Sequence, residues 1–292
     1  PLMVRTRTFK YGQKFWAVSH LVCGRAKFLP FLLLAFLLCE PAIAKQPTHQ
    51  GATPCCEQQV CDGHTSTISN KKVVMKKIIA KRIDATKMPT ALADIPAMLD
   101  AEGVGYNAID SNNWPDAFPY TPRVEVRVAH TGNNIILHYR VEEKTVRAVA
   151  EDNGKVWEDA CCEFFSIPAA DGVYYNIECN CAGQMLIGSG AGRKDRERAT
   201  KEVLDTVKRW SSLGREPFAE KTAPAQWQLV MVIPASAFFK HHITSFAGTT
   251  IRANFYKCGD MLQQQHYLSW NPIGLPRPNF HCPEYFGEVE FE

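Results

Sequence analysis

The chain has 292 residues, of which 46% are apolar, 11% aromatic and 22% charged, a composition typical of globular proteins and unlike that of disordered or collagen-like chains. Its net charge of +3 is uneven, because residues 1–74 carry nine Lys and Arg against three Asp and Glu, which leaves 24 against 27 in residues 75–292. This mildly acidic remainder argues against nucleic-acid binding, which needs a basic surface to neutralise phosphates.

The first 44 residues resemble a secretory signal. Arg25 and Lys27 precede an apolar run of twelve residues from Phe28 to Cys39, and the small residues of Ala42-Ile43-Ala44 fit a cleavage site. The run is shorter than the about 20 residues of a membrane-spanning helix, so no membrane span is expected. We expect a secreted or periplasmic protein if this signal is genuine, and a cytoplasmic one if translation starts at Met75.

Residues 45–74 are polar, show no hydrophobic periodicity and are predicted to be a flexible linker. Four potential metal ligands lie in this segment: Cys55, Cys56, Cys61 and His64. Their spacing does not match the separated ligand pairs of zinc sites. A metal site and incidental thiols in a flexible segment both remain open.

Six of the eleven cysteines lie beyond the linker: Cys161, Cys162, Cys179, Cys181, Cys258 and Cys282. Neighbouring residues of a strand point to opposite faces and residues two apart share a face, so neither of the two local pairs favours a disulfide. Buried free thiols are the simpler expectation. A long-range disulfide is the alternative if the protein is exported.

From residue 120 onwards, apolar side chains mostly recur at every second position. The alternating segment 123–129, the turn signal Thr131-Gly132-Asn133 and the apolar segment 134–141 predict a hairpin. Further strands are predicted at 161–167, 173–181, 185–188, 227–233, 251–257, 265–270 and 287–291. Many short strands separated by turn signals predict an all-β fold, an antiparallel β-sandwich.

Helical periodicity is limited to a short segment around 95–99 and a longer one from Arg196 to Trp210, in which Val203 and Val207 recur at helical spacing. These segments predict one or two peripheral helices, the longer of which would cover a sheet edge. The run from Gly188 to Gly192 is rich in glycine but lacks the setting of a phosphate-binding loop, so a turn is expected there.

The stretch 156–165 combines a tryptophan with acidic side chains at the start of a predicted strand. Four residues share one face of it: Asp159, Cys161, Glu163 and Phe165. A carboxylate on such a face needs hydrogen-bond donors if it is buried. The next strand places Asn176 and Glu178 on one face, so the two strands, paired as a hairpin, would form one polar surface.

At these positions the sequence resembles the family 9 carbohydrate-binding modules and their stand-alone bacterial relatives. The matching stretches span about residues 75–292 and are Val156-Trp-Glu-Asp-x-Cys-x-Glu-Phe-Phe, Tyr174-Tyr-Asn-Ile-Glu, Arg252-Ala-Asn-Phe-Tyr-Lys-Cys-Gly-Asp, Leu268-Ser-Trp-Asn-Pro and Phe280-His-x-Pro-Glu-Tyr-Phe-Gly-Glu-Val-Glu-Phe. The resemblance implies that residues 75–292 form a sandwich of jelly-roll type that binds an oligosaccharide or polysaccharide without catalysis. It also implies a role in polysaccharide breakdown beside glycoside hydrolases, and allows a structural calcium ion.

The carbohydrate-binding residues predicted from the resemblance and the strand pattern are Trp157, Asp159, Glu163, Asn176, Glu178 and Trp270. By the resemblance, Trp157 and Trp270 are two rings that clamp a sugar unit, and Glu163 accepts its hydroxyls. The chemistry agrees, because a pyranose has an apolar C–H face that packs on an indole and a rim of hydroxyls that needs carboxylates and amides.

Each of these assignments has a structural alternative. Trp157 and Trp270 could serve packing, Glu163 could pair with Arg147 or Arg252, and the polar residues of the second strand could form a solvated face. If Trp157 and Trp270 face each other across an open groove, sugar binding is favoured over a structural or interaction role.

A glycosidase is the alternative function. Asp159 and Glu163 lie roughly 13 Å apart along a strand, whereas catalytic carboxyl groups of glycosidases are separated by about 5–5.5 Å or 6.5–9.5 Å. Glu163 and Glu178, however, could come close enough across a hairpin. The sequence therefore favours a binding module and leaves a hydrolase of O-glycosyl bonds open.

Overall fold

The structure is a computed structural model that describes residues 75–292. The predicted signal at 1–44 and the linker at 45–74, with its group of three cysteines and His64, lie outside the described residues. The prediction that 75–292 form one sandwich concerns the described part.

The described residues form sixteen strands: β1 (Lys77–Arg82), β2 (Asn107–Ala108), β3 (Ser111–Asn112), β4 (Arg123–His130), β5 (Asn134–Glu142), β6 (Thr145–Ala148), β7 (Cys161–Ile167), β8 (Tyr174–Asn180), β9 (Met185–Gly190), β10 (Glu197–Arg198), β11 (Lys208–Ser211), β12 (Phe218–Thr222), β13 (Trp227–Pro234), β14 (Thr250–Cys258), β15 (Tyr267–Ser269) and β16 (Gly287–Phe291). The α-helices are α1 (Ile95–Ala101) and α2 (Lys201–Thr206), and single 3-10 turns lie at Ala85–Lys87, Leu92–Asp94, Val156–Glu158, Ala235–Ala237 and Pro283–Tyr285.

Two layers of strands make up the fold. The first sheet has the order β10-β9-β8-β7-β14-β16-β1 and the second the order β1-β4-β5-β13-β11. Strand β1 belongs to both, because its first part pairs with β16 and its last two residues pair with β4. Both pairings of β1 are parallel, and the other strand pairs are antiparallel. The predicted all-β sandwich is confirmed, with β1 as a parallel exception.

The main core lies between the two sheets. The second sheet contributes alternate residues of β4, β5 and β13, such as Val126 and Leu137, and the first contributes the inward residues Phe164, Ile177 and Phe255. The alternation predicted for the hairpin 123–141 is therefore the pattern that buries one face of each strand.

Both sheets are also covered on their outer faces. On the second sheet, Ile95 and Leu99 of α1 pack against Ile136 and Val230. On the first sheet, an apolar cluster forms from outward residues of the strands and from loops that fold over them: Trp114, Phe165, Tyr174, Tyr256, Phe280 and Phe286. This second layer over the first sheet leaves a depression between its loops.

The helix predicted from Arg196 to Trp210 is much shorter than expected. Only Lys201–Thr206 is α-helical, and Trp210 lies on the edge strand β11, which pairs with β13. Val207 ends the helix in an extended conformation, in agreement with the preference of β-branched residues for strands. Edge pairing therefore outweighs the helical pattern of this segment.

The six cysteines of the described residues are all buried and free, which confirms the expectation of buried free thiols. Among residues 75–292, no helix is long and apolar enough to cross a membrane.

Candidate functional site

A pocket of about 430 Å³ opens on the outer face of the first sheet. Its lining combines strand residues of β7, β8 and β14 with side chains from the surrounding loops: Trp157, Glu163, Phe165, Asn176, Glu178, Arg193, Arg196, Arg198, Cys258, Asp260, Tyr267, Pro278, Asn279, Phe280 and His281. Pockets that bind small molecules usually measure about 300–1,000 Å³. Four of the six predicted site residues line this one.

Trp157 stands at the pocket in the 3-10 turn before β7. It is half-buried, and the Arg198 guanidinium lies 5.8 Å from its ring centroid. The turn is fixed by its backbone, since the Trp157 carbonyl accepts a hydrogen bond from the Asp260 amide at 3.1 Å. The fully buried Val156 anchors the turn beneath. The indole is therefore held by its neighbours in chain and sheet while part of it faces the pocket.

Glu163 and Glu178 lie directly opposite each other on β7 and β8, as the hairpin predicted. Both are buried, with 2% and 4% of their surface exposed. Glu163 Oε1 accepts from the Cys258 thiol at 3.0 Å, and Glu178 Oε1 accepts from the Asn176 amide at 2.8 Å. Glu178 Oε2 has no hydrogen-bond partner.

Burial governs the proton affinity of both acids. It raises the pKa of Glu178 to about 7, and it raises the pKa of Glu163 well above its usual range, with the nearby Glu178 charge adding to the effect. Loss of hydration disfavours a charged carboxylate, and a second carboxylate disfavours it further. The pocket thus holds two acids whose protonation responds to what binds beside them.

Arg196 orients the amide of Asn176. Its Nε donates to Asn176 Oδ1 at 2.8 Å, and its Nη2 donates to the Tyr174 and Gly188 carbonyls at 2.9 and 3.1 Å. The guanidinium also stacks on the Tyr174 ring at 4.0 Å. Gly188 is needed for this arrangement, because a Cβ there would lie 2.5 Å from Asn176 Oδ1. The glycine-rich run expected to be a turn thus begins on β9.

Three arginines give the pocket wall a positive field: Arg193, Arg196 and Arg198. Together with burial, which is the larger cause, they lower the pKa of His281 to about 3. Burial raises the pKa of Asp260, which also lines the pocket, to about 6. The pocket therefore offers cationic donors and carboxylate acceptors to one ligand.

Asp159, predicted to be a binding residue, lies outside the pocket. It is fully buried, and its carboxylate accepts from Arg147 at 2.8 Å and from Asn180 at 2.8 Å. It also accepts from the backbone amides of Val149 and Ala150 at 3.0 and 2.9 Å. With both oxygens engaged by protein donors, Asp159 holds the segment before β7 in place. The structure therefore places Asp159 among protein donors and not among the residues that line the pocket.

Trp270, predicted to be the second clamp ring, also lies elsewhere. Only 3% of it is exposed, and it packs in the main core against Phe255 at a centroid distance of 5.7 Å. Its ring also meets the backbone at Gly287, where a Cβ would approach it to 2.6 Å. Trp270 shares the inward direction of Leu268, whereas Tyr267 points to the pocket. The two tryptophans do not face each other across a groove.

Sequence reasoning missed Tyr267, Asp260 and the arginines of the pocket wall. The signal for Tyr267 was available, because strict alternation from the apolar Leu268 places Trp270 on the core side and Tyr267 on the other. No comparable signal existed for Arg193 and Arg198, since a charged loop is ordinarily solvated and its position follows from tertiary folding.

The resemblance allows a structural calcium ion. Among the His, Cys, Asp and Glu side chains of the described residues, one group of three converges: Cys161, Glu163 and Cys258. Calcium takes six to eight oxygen ligands, and this group supplies two sulfur atoms and one carboxylate. The group does not fit calcium.

Comparison with known proteins identifies the family. A family model described as carbohydrate-binding family 9 matches residues 93–291. The chain belongs to this family. Its members are binding modules, and non-catalytic carbohydrate binding, as predicted, is the function that family membership supports. Comparison with curated proteins gives no match.

Three solved structures are similar to this chain. The chain is 53% identical to "a putative carbohydrate-binding protein from Bacteroides uniformis ATCC 8492", which aligns over 75% of this chain and 100% of its own length with a TM-score of 0.72. Two family 9 modules from Caldicellulosiruptor kristjanssonii are 12% and 13% identical, cover 74% of this chain and 96% and 94% of their own, and have TM-scores of 0.48 and 0.46. The first is in complex with glucose and the second with cellotriose.

Proposed function

We propose that the pocket on the outer face of the first sheet is the glycan site of this family 9 protein. In this proposal the exposed part of Trp157 packs against the apolar face of a sugar ring. Glu163, Asn176 and Glu178 bond its hydroxyls. Tyr267, half-buried on the pocket lining, takes the place that the sequence had given to Trp270.

The observation that carries the proposal is the unpaired Oε2 of Glu178. A buried carboxylate oxygen without a donor is costly, by about 1–3 kcal/mol or more, and the structure leaves this one beside an open pocket. A sugar hydroxyl is a donor of the right kind. Binding would then satisfy an atom that the protein leaves unsatisfied, while the indole of Trp157 covers the C–H face.

The arginines of the wall complement these acceptors. Sugar hydroxyls both donate and accept, and Arg193 and Arg198, which are exposed at the pocket, can donate to oxygens that the acids do not reach. A site with donors and acceptors around an aromatic surface favours a hydroxyl-rich ligand over an apolar one.

A glycan-array screen with the full chain tests the proposal. We expect binding to a defined group of oligosaccharides, and we expect Glu178→Gln to weaken it. Asp110→Asn is the matched control, because Asp110 is an exposed acid outside the pocket. If no glycan binds, or if binding is equal in wild type and Glu178→Gln, the pocket is not the glycan site.

A glycosidase remains the second candidate, because Glu163 and Glu178 form a cross-strand pair at the pocket and Glu178 has a raised pKa. Opposite residues of an antiparallel pair have Cβ atoms about 4.5–5.5 Å apart, and such pairs of acids serve glycoside hydrolysis. Release of reducing ends from the bound glycan, lost in Glu163→Gln, would establish hydrolysis. If the glycan is unchanged after prolonged incubation, the protein binds it without hydrolysing it.

The biological setting is part of the proposal as well. We place the protein outside the cytoplasm, where it would support polysaccharide breakdown beside glycoside hydrolases that act on the same glycan. The signal-like segment 1–44 supports export. Intact-mass measurement of the native protein tests it, since a mature chain beginning near Lys45 is expected and a start at Met75 would contradict it.

A further inference from the structure

Two thiols and a carboxylate converge at the floor of the pocket, where Glu163 and Cys258 belong to the lining and Cys161 lies behind them. Cys161 on β7 and Cys258 on β14 are directly opposite each other, and Glu163 follows two residues along β7 on the same face. The two sulfur atoms and a Glu163 oxygen lie within 4.8 Å of one another. All three side chains are at least 98% buried.

None of the ion pairs among the described residues includes the carboxylate of this group. Among the described residues, no Lys or Arg forms an ion pair with Glu163 or with the opposite Glu178; the partners of their carboxylates are the Cys258 thiol and the Asn176 amide, and Glu178 Oε2 has none. Ionisation of two neighbouring buried carboxyl groups is unfavourable when no counter-ion lies beside them. A bound cation would offset this cost.

We propose that Cys161, Glu163 and Cys258 bind a zinc ion at the floor of the pocket, with a fourth coordination position open towards the pocket. Zinc accepts thiolate and carboxylate ligands in tetrahedral sites, and sites with three protein ligands leave the fourth position to water or ligand. Thiolate ligands favour zinc over calcium and magnesium, which prefer oxygen.

The geometry and the proton balance are consistent with such a site. Tetrahedral zinc–sulfur bonds of about 2.3 Å separate two sulfur ligands by about 3.8 Å, so the three atoms need shifts of about 1 Å or less to reach ligation. The thiol hydrogen bond from Cys258 to Glu163 at 3.0 Å already joins two of them. Each thiol loses its proton on ligation, and so does the Glu163 carboxyl group when it is protonated, so one zinc ion releases two protons from the thiols and up to one more from Glu163 to solvent.

Cobalt titration of the reduced, metal-free full chain tests the proposal, because thiolate–cobalt bonds absorb in the near ultraviolet and zinc displaces the cobalt. The chain has five further cysteines before residue 75, so the reading is the difference between wild type and Cys258→Ser. Cys282→Ser is the matched control, since Cys282 is a buried thiol of the same outer apolar cluster but not of the converging group.

We expect wild type and Cys282→Ser to bind one more cobalt ion than Cys258→Ser, with a thiolate band that Cys258→Ser lacks. We also expect Glu163→Gln to retain both thiols and bind cobalt at least about tenfold more weakly. Equal bands in wild type and Cys258→Ser would overturn the proposal. If Cys258→Ser does not fold, Glu163→Gln decides the question, because unchanged affinity in that variant overturns it too.

These readings need no glycan. Metal uptake can fail while glycan binding persists, and glycan binding can fail while one zinc ion is still bound, so the two proposals are tested separately.

Discussion

Trp157 and Trp270 provide the sharpest test of the pocket, because the sequence assigns both to one clamp and the structure separates them. Trp157→Ala removes a half-buried ring at the pocket but keeps the backbone bond between the Trp157 carbonyl and the Asp260 amide. Trp270→Ala removes a ring that is 97% buried in the main core. The two substitutions are chemically identical and should have opposite effects on binding and stability.

The magnitudes follow from the surroundings of each ring. Truncating a fully packed Trp costs about 3–5 kcal/mol of folding free energy, and at about 2–4 °C per kcal/mol for a domain of this size Trp270→Ala should lower Tm by about 6–20 °C. An aromatic contact at the centre of a binding site is worth about 2 kcal/mol or more. Trp157→Ala should therefore raise the Kd for a glycan about 30-fold, with a smaller fall in Tm.

Calorimetric titration with an oligosaccharide from the array screen, run beside thermal melts of both variants, measures the two effects. Below its lowered Tm, Trp270→Ala should bind with nearly the affinity of wild type, because Trp270 does not line the pocket. If Trp157→Ala binds as well as wild type, the pocket does not use that ring. If Trp270→Ala loses affinity at unchanged Tm, the placement of Trp270 in the core is wrong.

Four other predictions concern charge and burial. Lys257→Met should lower the free energy of unfolding by about 3–5 kcal/mol in urea denaturation, because it leaves the buried Glu143 carboxylate without its ion-pair partner at 2.9 Å. Adding Glu143→Gln should restore part of this loss. A cost below about 1 kcal/mol for Lys257→Met alone would refute the role of this ion pair. Glycan affinity should rise between about pH 6 and pH 8, because Glu178, whose pKa burial raises to about 7, ionises in this range and then accepts hydrogen bonds from hydroxyls. Asp260, whose pKa burial raises to about 6, contributes to the rise at the lower end of this range. If Glu178→Gln leaves the pH profile of the affinity unchanged, Glu178 is not the group that titrates. The same raised pKa means that the native state keeps a proton which the unfolded state releases above the ordinary glutamate pKa of 4.5. The contribution of Glu178 to native-state stability is therefore fully present below that pH and is lost as the pH rises through about 7. Finally, the six buried thiols should react with a chromophoric disulfide reagent only after unfolding, and reaction of more than five of the eleven cysteines in the native protein would contradict their burial.

Much of the sheet could be predicted because its strands are buried on one face and therefore alternate. Strands β7 and β16 have the predicted bounds, and β4 and β5 form the predicted hairpin. The edge strand β11 was missed, since Lys208–Ser211 is short and follows a segment whose apolar spacing suits a helix. A short edge strand is determined by the partner it pairs with, here β13, and a single sequence does not show that partner.

The pairing of Glu163 with Glu178 at the pocket could be predicted from the same alternation that predicted the hairpin of β4 and β5. Once β7 and β8 pair with Glu163 opposite Glu178, their outward side chains fall on one surface. The role of Asp159 could not be predicted from this rule, because the residue precedes the strand and its carboxylate turns to Arg147 and nearby backbone amides. Alternation holds within a strand and fails one or two residues before it begins.

The position of the pocket depends on the burial of both faces of the first sheet, which the sequence of a single strand does not show. The first sheet is buried on both faces, inside by the second sheet and outside by the loops that carry Trp114 and Phe280. An outward polar residue such as Glu163 or Glu178 is therefore not solvated, as it would be on a sandwich with one exposed face. It is enclosed beneath the loops, where an unpaired oxygen has a free-energy cost and a ligand or a metal ion can remove that cost. The loops of the outer apolar cluster thus enclose a polar strand face in a pocket.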